Sequence, residues 1–143
     1  MIKFYLVALG IFVVDQLSKQ WALMSCHQPF VVIDNFFSLA LVFNPGSLWG
    51  IGRNCTYILA LLGFIIIPIL FIYIHRLKHP TLQWLIAILA GGIAGNTFDR
   101  LFRGHVIDFL DFHLKNWHWP CFNVADIAIT SVCLFLIFFH RKH

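Results

Sequence analysis

Charge is what this sequence has least of: 11% of its 143 residues are charged, and the acidic complement is six residues, all aspartate. A soluble domain carries about 25% charged residues, so a large water-exposed fold is excluded. Ordered cysteine spacing is also missing. Cys26, Cys55, Cys121 and Cys133 form no CxxC pair, which argues against a zinc or thiol redox centre. A disulfide among Cys26, Cys55 and Cys121 stays open. No repeat, low-complexity tract or linker divides the chain, so residues 1–143 read as a single membrane-embedded domain.

What is present is apolar: 60% of the residues are hydrophobic. Four runs, at about 2–24, 57–75, 82–98 and 122–139, have the roughly 17 to 25 residues that a bilayer-crossing helix needs. The expected fold is therefore an all-α integral membrane protein with four transmembrane helices. If the spans alternate direction, Lys3, Arg76, Lys78, Arg141 and Lys142 share one side, against Arg53, Arg103 and Lys115 on the other. The positive-inside rule then puts both termini in the cytoplasm. Because the net charge of +4 is spread over span ends, it does not describe a nucleic-acid surface.

The first span ends in Leu23-Met24-Ser25-Cys26, which is similar to a lipoprotein lipobox, but Asp15 and Lys19 interrupt its apolar run where a signal peptide would be uninterrupted. Spaced i, i+4, these two residues can pair on one helix face. That pairing is either purely structural or places Asp15 toward a site at the outer end. Between the first two spans, Phe30 to Ile33 and Phe36 to Phe43 flank Asp34-Asn35 and predict a small hairpin at the membrane surface. The segment closes on Asn44-Pro45-Gly46, where a turn accounts for Pro45 and Gly46 but not for Asn44.

In the third span, Gly91, Gly92 and Gly95 suit close helix packing. Asn96, Asp99 and Arg100 follow at i, i+3 and i+4 on its outer end, where Arg100 can neutralise Asp99. Asp108 precedes and Asp126 follows a Trp-rich segment suited to the headgroup region, with Asp111 reading as a solvated loop residue. His105, His113 and His118 match no metal-ligand spacing, so no metal is expected. At the last span, Asn123 is a good N-cap and Asp126 favours a helix N-terminus; capping and chemistry are both open to this acid.

Asp15, Asn44, Asn96, Asp99, Arg100, Asp108, Asn123 and Asp126 all fall near outer span ends, and membrane polar residues are functional by default. One shared site explains them better than eight separate structural roles. The chain resembles the lipoprotein signal peptidases, or signal peptidase II family, aspartyl enzymes of the bacterial inner membrane. The resemblance rests on Asp15-Gln16-Leu17-Ser18-Lys19, Asn44-Pro45-Gly46, GGIAGNTFDR over 91–100, HVIDF over 105–109 and FNVAD over 122–126. It implies a catalytic pair of Asp108 and Asp126, supported by Asp15, Lys19, Asn44, Gly46, Asn96, Asp99, Arg100 and Asn123. It also implies four helices with a small extracytoplasmic β element and a surface helix or loop. The implied partners are membrane lipid and a prolipoprotein cut on the amino side of its diacylglyceryl-modified Cys. No cofactor or nucleic acid is implied, and the chain is expected to act as a monomer.

Ser47-Leu48-Trp49 departs from the family pattern, which has smaller residues and a Phe there, and its bulk would reshape a substrate groove. This leaves room for a divergent paralogue with altered or lost activity. From another class, a small transporter or channel would use the same acids and Arg100 to line a polar pathway. Such a pathway would distribute charge through the membrane depth, whereas these groups gather at one end.

Overall fold

In the computed structural model, residues 1–46 and 55–139 are described. The order is α1 (Ile2–Ser25), β1 (Phe30–Ile33), β2 (Phe37–Asn44), α2 (Thr56–Arg76), α3 (Pro80–Phe102), β3 (Val106–Leu114), β4 (Trp117–His118) and α4 (Val124–Phe139). The fold is mostly helical, with a four-stranded antiparallel sheet in the order β1-β2-β3-β4. The expected small β element is thus present as this sheet.

Among the described residues, α2 and α3 are long and apolar enough to cross a membrane, with mean hydropathies of 2.8 and 1.3. Their 21 and 23 residues give roughly 31 and 34 Å at about 1.5 Å per residue, against a hydrocarbon core of about 30 Å. In α1, Lys3, Asp15 and Lys19 interrupt the apolar run, and α4 is apolar over a shorter 16 residues. The polarity of the molecule is inverted relative to a water-soluble protein. Ile58, Leu61, Phe64, Ile65, Ile69 and Ile72 of α2 are exposed, while Asp15, Lys19, Asp99, Asp108 and Asn123 are buried. A continuous apolar exterior of that kind fits lipid as the surrounding solvent.

Helix α3 is the hub, packing against α1, α2 and α4. Small residues set the spacing: a Cβ on Gly92 would stand 2.8 Å from the Ala125 carbonyl oxygen of α4, too close for any side chain. Gly95 has a different task. A Cβ there would collide with the Asp15 carboxylate, so this glycine makes room for a buried acid as well as for a helix.

The predicted hairpin appears as β1 and β2, turning through Asn35 at φ 58°. By contrast, the Trp-rich segment expected as a surface helix or loop is strand: β3 pairs with β2 along most of its length, and β4 folds back through Lys115 at φ 54°. Val106, Ile107, Phe109 and Phe112 supply the β-branched and aromatic side chains that a half-buried strand favours. The free edge of β2 supplies the backbone partners. No helix besides α1 to α4 occurs among the described residues.

Candidate active site

Asn123 joins the two acids that flank the β3–β4 segment. Its Nδ2 donates to Asp108 Oδ1 at 2.7 Å, and its backbone N–H donates to Asp126 Oδ2 at 3.3 Å. The other two carboxylate oxygens are met the same way. Asn44 Nδ2 donates to Asp108 Oδ2 at 3.0 Å, and Asn96 Nδ2 donates to Asp126 Oδ1 at 2.8 Å. All four donors are neutral amides. The Asp126 backbone N–H also donates to Asn123 Oδ1 at 3.0 Å, which completes a reciprocal capping arrangement at the start of α4. Capping and the hold from Asn96 are thus compatible, because each uses a different oxygen of Asp126.

Asp108 is 2% exposed. Burial first, and then the neighbouring Asp126 carboxylate, push it from 3.8 up to about 6, against the opposing pull of the Asn44 and Asn123 hydrogen bonds. Both acids line a cavity of about 640 Å³. Its polar end holds Asn44, Asn96 and Arg100; its apolar wall includes Leu59, Leu62 and Ile66 of α2.

Behind the pair lies a second buried cluster. Lys19 Nζ donates to Asp15 Oδ2 and Asp99 Oδ2, each at 2.8 Å, and to Asn96 Oδ1 at 3.0 Å, which uses all three ammonium protons. Asp15 Oδ1 accepts from the Ala125 backbone N–H of α4 at 2.9 Å, where the helix N-terminus favours an anion. Asp99 Oδ2 accepts from the Ile107 backbone N–H at 3.2 Å, and this carboxylate thereby fixes β3 one residue before Asp108. The i, i+4 pair expected for Asp15 and Lys19 is present.

Arg100, expected to neutralise Asp99, instead donates to the backbone oxygens of Asn96 at 3.2 Å and Gly46 at 3.0 Å. Adjacent helix residues point about 100° apart, so Arg100 faces the cavity and Asp99 the cluster. Arg103, one turn further on, makes the ion pair with Asp99. Gly46 contributes backbone alone: its N–H donates to Asn44 Oδ1 at 3.0 Å and thereby orients that amide. All ten residues singled out from the sequence therefore join one network.

Sequence reasoning missed Arg103 and Gln16. Gln16 Nε2 donates to Asp15 at 3.1 Å and Asp99 at 3.2 Å, and Gln16 Oε1 accepts from Arg103 at 2.9 Å. The i, i+4 spacing of Asp99 and Arg103 was the available signal. Asp111, expected in a solvated loop, lies within β3 beside His113 and His118. The four cysteines are free thiols. Cys121 lines the cavity, but burial first, and then Asp108, push its thiol up to about 12, which keeps it protonated and unreactive.

A family model described as signal peptidase (SPase) II matches residues 7–141. The lipoprotein signal peptidase of Pseudomonas aeruginosa (strain UCBPP-PA14) is 38% identical over 144 residues, covering 92% of this chain and 85% of the relative. That of Francisella tularensis subsp. novicida (strain U112) is 36% identical over 147 residues, covering 95% and 89%. Two solved structures, described as a bacterial membrane enzyme determined by the in meso method at 2.3 and 1.9 Å, superpose with a TM-score of 0.85 at 26% identity. They cover 99% of this chain and 89% or 94% of theirs. With this match running nearly end to end over a chain that buries Asp15, Asp99 and Asp108 and exposes many apolar side chains, the chain belongs to the signal peptidase II family.

Proposed function

We propose that this chain removes the signal peptide from diacylglyceryl-modified prolipoproteins, with Asp108 and Asp126 as the catalytic pair. The observation that carries the assignment is the shared setting of the two acids: both line the cavity, both are held by neutral amides, and one asparagine touches each. Two close carboxylates cannot both ionise cheaply, so the pair holds one proton. The ionised member takes a proton from water as the water oxygen attacks the scissile carbonyl carbon. The protonated member hydrogen-bonds the carbonyl oxygen as negative charge develops there. Collapse of the tetrahedral intermediate then returns a proton to the departing amine nitrogen. With its proton released at about 6, Asp108 can give and take it near neutral pH.

Asn44, Asn96 and Asn123 hold the carboxylates, and Asp15, Lys19 and Asp99 brace the elements that carry them. Gly46 and Arg100 shape the polar end of the cavity. The apolar wall from α2 suits acyl chains, so the lipid part of the substrate stays in a lipid-like setting while the peptide bond reaches the acids. The four helices are the four spans, with both termini cytoplasmic and the sheet and acid pair on the extracytoplasmic side of the bacterial inner membrane. The chain acts as a monomer. Membership of a peptidase family, with the ionisable groups gathered at one end of the helices, disfavours the transport alternative. The substrate-groove departure at Ser47-Leu48-Trp49 lies outside the described residues.

The test is a precursor offered to the purified chain in liposomes with and without diacylglycerol on its Cys. Cleavage of the modified form alone, on the amino side of that Cys, is expected. Equal cleavage of both forms would refute the lipid requirement, and cleavage of neither would refute the peptidase reading.

A further inference from the structure

Strand geometry collects a second group of side chains outside the cavity that the acid pair lines. Asp111 and His113 are two residues apart on β3, so their side chains leave the same face. His118 is the cross-strand partner of His113 on β4 and therefore stands on that face too. Asp108, three positions before Asp111, leaves by the opposite face and lines the cavity, which Asp111 does not.

The three side chains converge. His118 Nδ1 lies 2.9 Å from Asp111 Oδ1 and 3.0 Å from Oδ2, and His113 Nδ1 lies 3.6 Å from Oδ2. One ligand atom from each residue falls within 4.8 Å of the others. The two imidazole rings stack with centroids 4.9 Å apart and planes 23° from parallel, so both approach the carboxylate side by side. His113 Nδ1 is buried without a hydrogen-bond partner. Its separation from Asp111 exceeds hydrogen-bond range, and a buried polar atom in that condition is costly.

We propose that Asp111, His113 and His118 form a binding site for a divalent transition-metal ion, zinc foremost, with the fourth position open to water. Tetrahedral zinc with bonds of about 2.0–2.1 Å sets its ligand atoms roughly 3.3 Å apart, a spacing that the 3.0 and 3.6 Å separations of His118 Nδ1 and His113 Nδ1 from Asp111 Oδ2 bracket. Two imidazoles and one carboxylate suit zinc, copper or nickel, and suit magnesium or calcium poorly. An ion there gives His113 Nδ1 the partner it lacks and clamps β4 to the strand that carries Asp108. No linear ligand motif reveals the site, because its donors meet across a hairpin. The aspartyl chemistry does not involve it.

The test is isothermal titration calorimetry of metal-stripped, untagged full-length chain in detergent with zinc chloride. The expected result is one zinc per chain with a micromolar or lower Kd, and a melting temperature that rises with zinc as binding to the folded state requires. His118→Gln and Asp111→Asn should each weaken binding by at least about ten-fold, a loss that outer-shell changes alone already reach. The His118 side chain is 55% exposed, so its substitution leaves the fold intact. Cobalt substitution should give tetrahedral visible absorption bands that both variants lose, whereas Asp108→Asn should keep wild-type zinc affinity. No stoichiometric binding by the wild type would overturn the proposal. Unchanged affinity in His118→Gln and Asp111→Asn would do so too, since the ion would then sit on other residues.

Discussion

Asn96 stands between two sets of buried carboxylates that are held in opposite ways. On one side its Oδ1 accepts from Lys19, which with Arg103 balances Asp15 and Asp99. On the other its Nδ2 donates to Asp126, which faces Asp108 in a setting built from neutral amides. In the first cluster, acids and cations cancel, and the group works as a joint between α1, α3, α4 and β3. In the second, the charges of the two acids press on each other, which is the condition for sharing a movable proton. The residue type is the same; the donors around it set the task.

The sharpest way to break this contrast is to neutralise one acid in each set. Asp108→Asn and Asp126→Asn should each lower precursor cleavage by ~10⁴-fold or more, the upper range of what positioned acid–base groups contribute. Melting temperatures in detergent should stay near that of the wild type. Lys19→Met should do the reverse and act on stability first. It strands Asp15 and removes one of the two cations on Asp99, and breaking a buried pair costs about 3–5 kcal/mol. Thermal unfolding would measure the loss, and the double variant Lys19→Met/Asp15→Asn should recover part of it.

The pH dependence sharpens the comparison further. Asp108 releases its proton at about 6 in the folded chain, above the ordinary value of 3.8. The folded state thus binds a proton that the unfolded state has already lost. Its contribution to stability is complete below about pH 4 and declines as pH rises to about 6. That slope should appear in the melting temperature of the wild type and be shallower in Asp108→Asn. Smallest is Gly95→Ala: its methyl group displaces the Asp15 carboxylate, and overpacking of this kind costs about 1–3 kcal/mol. Thermal melting would check it, and an unchanged melting temperature would show that the acid can move aside.

Much of this was legible in the sequence because acids are so scarce: six aspartates in 143 residues make each one conspicuous, and apolar runs mark the helices. The i, i+4 spacing of Asp15 and Lys19 correctly indicated a pair. The failures have local physical causes. Arg100 sits next to Asp99 in sequence but about 100° around the helix from it, so chain adjacency pointed to the wrong cation. Arg103 looked like one of several loop charges, since the apolar run ends near residue 98 while α3 continues to Phe102. The tryptophans and histidines of 113–119 suggested a surface segment. The strand leading into it, β3, pairs over 106–112 with β2, some seventy residues upstream, which no local pattern reports. The convergence of Asp111, His113 and His118 becomes visible only once β4 is folded back on β3.

Mass spectrometry can separate the two tasks, the amide-held pair doing the chemistry and the cation-held cluster bracing it. Purified wild type, Asp108→Asn and Asp126→Asn would each be incubated in liposomes with one diacylglyceryl-modified precursor, alongside the cation-cluster variant Arg103→Gln. Wild type and Arg103→Gln should yield a product cut on the amino side of the lipidated Cys, and neither aspartate variant should yield any. Wild-type-like cleavage by Asp108→Asn or Asp126→Asn, with the chain folded, would contradict that division of tasks.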